Sequence, residues 1–311
     1  MRAAVVEVYG QPPSIREYDE PVESEGQEVV EIELAGINPI DLAIASGTFD
    51  AGAPPLPYVP GREGIAVNGD GERIWFDSPM FPFGSMAEKA PIAAGSGFTV
   101  IDDIESETAL ALGIAGMAAW LSIQWRGQLK AGESVLILGA SGSVGQIAVQ
   151  VARLLGAATV IGAARSESGR GVVGGLGVDE VIDTEPERLT AAIQEASGGG
   201  VDLIIDNLWG EPAAAAMLAL NVNGRLVQVG NSASRESTLK AGPIRGTGAS
   251  ILGHRNFQAP LDVQESAFRQ LCQYALADEI KIDVEAIPLD DVADAWKRQA
   301  GSPGHKLVLK P

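Results

Sequence analysis

Glu133-Ser-Val-Leu-Ile-Leu-Gly-Ala-Ser-Gly-Ser-Val-Gly145 is the stretch on which the reading of this chain turns. Four consecutive apolar residues, Val135 to Leu138, run directly into a glycine-rich turn. A helical period follows at once and sets Val144, Ile147, Ala148, Val151, Ala152 and Leu155 on one face. A buried parallel strand, a tight turn and a helix N-terminus make an anion site, because unpaired N–H groups and the positive end of the helix dipole point the same way. That geometry suits a dinucleotide pyrophosphate. Against the pattern G-x-G-x-x-G, Ala140 stands where the first glycine would be. A glycine match alone is weak; the strand before it and the helix after it give it weight. The plain alternative is a tight turn with no ligand. The residues expected at the phosphates are Ala140, Ser141, Gly142, Ser143, Val144 and Gly145.

The end of the second strand chooses the nucleotide. An acid there would hold the adenosine ribose hydroxyls of NAD and repel a 2′-phosphate. Thr159-Val-Ile-Gly-Ala-Ala-Arg165-Ser166 offers no acid before Glu167. It offers Ala164, Arg165 and Ser166, with Arg170 nearby. A guanidinium and a hydroxyl suit a phosphate dianion, so NADP(H) is the expected cofactor.

Composition narrows the class. The chain has 311 residues, enough for two domains, and is 46% hydrophobic and 20% charged, as globular proteins are. Its 41 acids against 22 bases, a net charge of −19, exclude nucleic acid and anionic membrane as partners, since both need clustered Lys and Arg. One cysteine, Cys272, permits no intramolecular disulfide and fits a reducing compartment; with no secretory signature at the N-terminus, a cytoplasmic protein is expected. Thr108 to Trp125 is uncharged, but its glycines, Ser122 and Gln124 favour a buried helix over a membrane span.

The first hundred residues alternate at period two, as in Val29-Val-Glu-Ile-Glu-Leu-Ala and Arg73-Ile-Trp-Phe, which predicts strands. From Ser106 to about residue 256, strands and helices alternate, which predicts a doubly wound parallel sheet. Its strands are expected at 134–138, 159–162, 180–182, 202–206, 225–229 and 249–252, with Thr184-Glu-Pro-Glu opening a helix. The closing segments, Val284-Glu-Ala-Ile-Pro-Leu and Lys306-Leu-Val-Leu, resemble the opening ones. The expected division is therefore 114–256 for the nucleotide domain, inserted into a second domain made of 1–113 and 257–311.

Several segments together resemble the medium-chain dehydrogenase/reductases, in particular their zinc-independent quinone oxidoreductase-like branch. They are Ala35-Gly-Ile-Asn-Pro-Ile-Asp41, Pro57-Tyr-Val-Pro-Gly61, Phe83-Gly-Ser-Met-Ala-Glu88, Ile114-Ala-Gly-Met-Ala-Ala-Trp120, Asp206-Asn-Leu-Trp-Gly210, Val229-Gly-Asn-Ser232 and His305-Lys-Leu-Val-Leu-Lys-Pro311. The resemblance spans nearly the whole chain. It implies an α/β protein with a GroES-like β-barrel catalytic domain beside a Rossmann domain, and an active site in the cleft. It also implies cofactor contacts at Asn38 and Met117, at Asn207 and Leu208, at Gly230, Asn231 and Ser232, and at Gly253 and Asn256.

Zinc alcohol dehydrogenases share that family. Where they carry two Cys and a His as metal ligands, this chain has Asn38, Arg62 and Ala115. Asn and Ala supply neither thiolate nor imidazole, and Arg brings a fixed positive charge. With no metal to polarise an alcohol, the hydride acceptor must already be electrophilic, as quinones and α,β-unsaturated carbonyls are. By resemblance Asn38 lies beside nicotinamide and substrate and serves a developing oxyanion, against the alternative of an Asn-Pro turn residue. Asp41 reads as a structural acid. Arg62 reads either as an anion or enolate contact or as the partner of a nearby acid such as Glu63. Ala43 and Ala45 stand where relatives often carry Tyr and Arg, which makes the pocket less aromatic.

Cys272 is expected in a core, His254 is a possible acid/base beside the nicotinamide, and Lys306 faces either a cofactor phosphate or solvent. The rival readings are an enoyl-thioester reductase, which needs a basic channel, and an NADPH-binding sensor or crystallin-like protein with little turnover. A short-chain dehydrogenase is disfavoured, since none of the four tyrosines opens Tyr-x-x-x-Lys. A homodimer paired along the sixth strand is expected by resemblance.

Overall fold

The structure is a computed structural model that describes residues 1–49 and 51–311. In chain order its strands are β1 (Arg2–Val5), β2 (Ser14–Glu17), β3 (Gln27–Gly36), β4 (Glu63–Val67), β5 (Arg73–Asp77), β6 (Lys89–Ala93) and β7 (Phe98–Thr99). Then come β8 (Ser134–Leu138), β9 (Thr159–Ala163), β10 (Glu180–Ile182), β11 (Val201–Asp206), β12 (Leu220–Gln228) and β13 (Ser250–Gly253), and finally β14 (Val284–Pro288) and β15 (Lys306–Lys310). The chain forms two compact units, Met1–Ile114 with Ile282–Pro311, and Ala115–Lys281.

In the second unit Val135 to Leu138 are all fully buried, as a parallel strand covered on both faces requires. All pairs in its six-stranded sheet are parallel, in the order β10-β9-β8-β11-β12-β13. Numbered within the unit that order is 3-2-1-4-5-6, which reverses direction between β8 and β11. Ligands of such sheets bind outside the strand C-termini at that reversal. The helix Ser143–Leu154 buries Ile147, Ala148, Val151 and Ala152 as the period predicts, while Val144 and Leu155 stay half-buried. The strands lie where expected except that β12 begins at Leu220 instead of Arg225, and the helix after β10 starts at Pro186 behind Glu185, so Thr184 is not its cap.

The second boundary differs from the expected 256/257. The helix Leu261–Leu276 belongs to the nucleotide unit because its apolar face, including Phe268, Leu271 and Cys272, is buried there, and Tyr274 meets Trp120 at 5.8 Å between ring centroids. Gln150 then pins Lys281 through both of its backbone groups, at 2.8 Å each. Sequence periodicity shows that a helix has an apolar face but not which sheet covers it.

In the first unit β3 is central, pairing antiparallel with β4, β6 and β15. Val30, Ile32 and Leu34 point inward and Glu31 and Glu33 outward, the alternation of a sheet with one buried face. The core behind it holds Ile74, Phe76, Ile92, Leu307 and Leu309. The segment Ser106–Arg126 is long and apolar enough to span a bilayer by composition, yet 83% of its most apolar window is buried inside the protein. Gly113 interrupts it with non-helical torsion angles.

A Cβ on Gly145 would lie 2.3 Å from the carbonyl oxygen of Gly139 and 2.6 Å from Cα of Ala140, backbone that has nowhere to move. Gly145→Ala is expected to destabilise the protein by roughly 1–3 kcal/mol through this overpacking. Urea unfolding measures it; a wild-type midpoint would contradict the close approach.

Candidate active site

The nucleotide-facing loops gather at the sheet reversal. Gly139 turns with φ of 71°, and Gly142 opens the helix Ser143–Leu154. A side-chain atom on Gly142 would meet nothing closer than 3.7 Å, so its surface is open to an anion. Ser141, Ser143 and Val144 are half-buried beside it; Ala140 and Gly145 are buried in the turn. Asn207 Nδ2 donates to the carbonyl of Leu138 at 2.9 Å and ties the ends of β8 and β11 together. Asp206, fully buried, accepts from the N–H groups of Leu208 and Trp209 at 2.9 and 3.0 Å, which fixes the loop lying over Gly139. Ser232 donates to the carbonyl of Asn207, and Gly230 has room only for a hydrogen there. Asn231 and Gly253 are exposed and Asn256 half-buried, whereas Met117 is buried in its helix.

At the end of β9, Arg165 is exposed, and among the described residues no carboxylate forms an ion pair with it. Arg170 is differently placed. Its guanidinium contacts Asp183 at 2.6 Å and the carbonyls of Ala164 and Arg165 at 3.3 and 2.7 Å, so it holds the loop that carries Arg165. Ser166 accepts from Gly169 N–H and caps the helix Glu167–Gly174.

The first unit assembles a buried polar cluster. Glu63 opens β4, and β5 pairs with β4 so that Trp75 lies diagonally across from Glu63 on the same face. Strand β15 pairs with the end of β3, which brings Lys306 beside Ile37 and Asn38. Lys306 Nζ lies 2.7 Å from Glu63 Oε1 and 2.6 Å from Asn38 Oδ1. Asn38 Nδ2 donates to Glu63 Oε1 at 2.9 Å; Trp75 Nε1 and Ile114 N–H donate to Oε2 at 3.1 and 2.7 Å. Asn38, Glu63 and Lys306 are 4%, 0% and 2% exposed. Gly36 and Gly113 make the space, since a Cβ on either would lie within 2.6 Å of Glu63 or Trp75. Lys306 thus does not face solvent, one of the two sequence expectations, because its strand delivers it into the core.

Arg62 pairs not with Glu63 but with Asp77, at 3.0 Å, and with the hydroxyl of Ser78. Asp41 takes the N–H groups of Asn38 and Arg62 at 2.8 and 3.1 Å, the structural part expected of it. The residues at the three positions that the resemblance equates with zinc ligands offer no zinc-binding set. Asn38 is engaged by a cation and a carboxylate, Arg62 is itself a cation, and Ala115 has no donor. His254 is buried, 3.3 Å from Asn256 Oδ1, and desolvation pushes its pKa down to about 4, which keeps the ring neutral near pH 7.

Comparison with known proteins agrees with this layout. The zinc-binding dehydrogenase family matches residues 143–273. The quinone oxidoreductase of Mus musculus is 32% identical over 246 residues, covering 74% of this chain and 73% of that one. That of Pongo abelii is 29% identical over 337 aligned positions, covering 99% and 98%. The solved quinone oxidoreductase of Thermus thermophilus, described with its NADPH complex, superimposes with a TM-score of 0.86 at 26% identity over 100% of both chains. The chain belongs to the medium-chain dehydrogenase/reductase family, and within it to the quinone oxidoreductase-like branch. The architecture is that family's pairing of GroES-like and Rossmann folds.

Burial raises the Asp41 pKa from 3.8 to about 7 despite its two N–H donors and the nearby Lys306. Between those values the folded protein binds more protons than the unfolded chain, so this group's contribution makes stability fall as pH rises from about 4 to 7. Asp206, raised to about 6 by desolvation, acts in the same sense, and His254 in the opposite one. The difference in unfolding free energy between wild type and Asp41→Asn isolates the first. It is expected to change across pH 4–7 and to level off above 7; a difference flat across that window would refute the shift.

Proposed function

We propose that the chain reduces a quinone or an α,β-unsaturated carbonyl with NADPH, without zinc. It is an NADP(H)-dependent oxidoreductase. The observation that carries the cofactor choice is Arg165, exposed and unpaired with any described carboxylate where an NAD enzyme would place an acid. Ser166 stands beside it, and the open N-terminus at Gly142 suits the pyrophosphate. Bound NADPH supplies the hydride. The protein's part is to hold the acceptor oxygen and exclude water. Asn38 is the donor proposed for that oxygen, because one of its two Nδ2 hydrogens lies outside the cluster around Glu63. Arg62 is already paired with Asp77 and hydrogen-bonded to Ser78, so it is read as a structural cation and not as the contact for an anionic acceptor. Quinone acceptors are favoured over enoyl thioesters by the acidic charge balance, which offers little to a polyphosphate carrier.

The same proposal includes a homodimer. Among the described residues strand β13 pairs only with β12, which leaves its other edge open, and Ile251 is 39% exposed on it. It also includes a cytoplasmic home, supported by the single cysteine, Cys272, buried as a thiol.

Steady-state rates with NADPH and NADH against 1,4-benzoquinone, 9,10-phenanthrenequinone and crotonyl-CoA test the reading. NADPH should be favoured in kcat/KM, and Arg165→Asp should lose roughly 10- to 100-fold with NADPH, mostly in KM, as expected for a lost charge-assisted contact. Preference for NADH would defeat the cofactor assignment; tight NADPH binding with no turnover would point to a sensor. Light scattering after size exclusion should give a dimer, and Ile251→Lys a monomer.

A further inference from the structure

We propose that Lys306 is a positioning residue: its buried ammonium sets which way the Asn38 amide faces and so aims the remaining Nδ2–H at the acceptor oxygen. The inference rests on the reading of Asn38 as the oxyanion donor.

An ammonium carries three protons and no lone pair. Three oxygens surround that of Lys306: Glu63 Oε1 at 2.7 Å, Asn38 Oδ1 at 2.6 Å and the carbonyl of Ile37 at 3.5 Å. The Asn38 atom facing it must be the amide oxygen. The amide nitrogen then donates one hydrogen to Glu63 Oε1, and the other makes no hydrogen bond among the described residues. A flipped amide would press its NH2 against the ammonium and its oxygen against the carboxylate, so electrostatics excludes the flip. The charge on Oδ1 also polarises the amide and strengthens its N–H as a donor.

The rest of the cluster is built to hold this one arrangement. Glu63 keeps its second oxygen on Trp75 Nε1 and Ile114 N–H, so the carboxylate cannot rotate away. Backbone pairing of β15 with β3 places Lys306 independently of the side-chain contacts. Asn38 is also held from its backbone side, where its N–H donates to Asp41. The backbone contacts do not set the amide plane; Lys306 and the Glu63 that it holds do.

Lys306→Met alone would leave Glu63 buried and unpaired, so the informative variant is Lys306→Met with Glu63→Gln. There the Gln carbonyl stays on Trp75 and Ile114, its NH2 faces Asn38, and the amide turns its oxygen inward. NADPH affinity by fluorescence titration and KM for the quinone should hold within about two-fold, while kcat falls roughly 10- to 100-fold. Lys306→Arg, which keeps the charge, should recover most of kcat. The Asn38 side-chain 15N–1H pair, assigned by its loss in Asn38→Asp, should shift in the double variant and return in Lys306→Arg. Wild-type kcat with an unshifted pair overturns the proposal. So does a loss that follows the melting temperature and is not recovered by Arg. If wild type reduces none of the acceptors but the pair still shifts, the positioning stands and the catalytic reading of Asn38 falls.

Discussion

The buried contact between Lys306 and Glu63 is the constraint on which the first unit is organised. Neither residue has water around it, so each depends on the other and on the hydrogen bonds that complete the cluster. Breaking such a pair from one side typically costs about 3–5 kcal/mol, because a charge is left buried without a partner. That dependence explains local features that would otherwise look unrelated: glycines at 36 and 113, the interruption of a long apolar helix at Gly113, and an indole turned inward to donate. The same cluster takes up Asn38, whose amide is held by a cation on one side and a carboxylate on the other.

The nucleotide unit is organised differently. A strand end and a helix start meet there, with side chains that tie loops together at the reversal of strand order. Asp206 and Asn207 do this from the end of β11, and Arg170 does it from the helix after β9. The exposed Arg165 differs from Arg170 only in what surrounds it, yet that difference separates a charge available to a ligand from one already used.

Much of the second unit was legible in the sequence. Strands buried on both faces are continuous apolar runs, and the turn after β8 carries its own glycine signature, so β8 to β11 could be placed to within a residue or so. The helix Leu261–Leu276 is equally legible as an element, but the unit it packs in is not, because an apolar face does not name its partner. The cap before Pro186 and the start of β12 were missed where local signals conflicted with pairing. In the first unit, Asn38 stands out from the sequence, whereas nothing local shows that Glu63 is buried. An acid between Arg62 and Gly64 at the head of a strand reads as solvated until the fold closes over it.

By itself the sequence determined the class: a glycine-rich turn between a buried strand and a helix, a second strand ending in arginine with no acid before Glu167, and a set of segments that together resemble one family. These are local properties, set by residue type within a few neighbours, and so they survive without coordinates. What only the tertiary structure decided is which charges are spent. Lys306 lies 243 residues from Glu63 in the chain, and no local pattern links a lysine on the closing strand to a glutamate on an early one. Their pairing comes from strand register and from the burial of both, and that decided that Lys306 contacts Glu63 and Asn38 while Arg62 is held by Asp77.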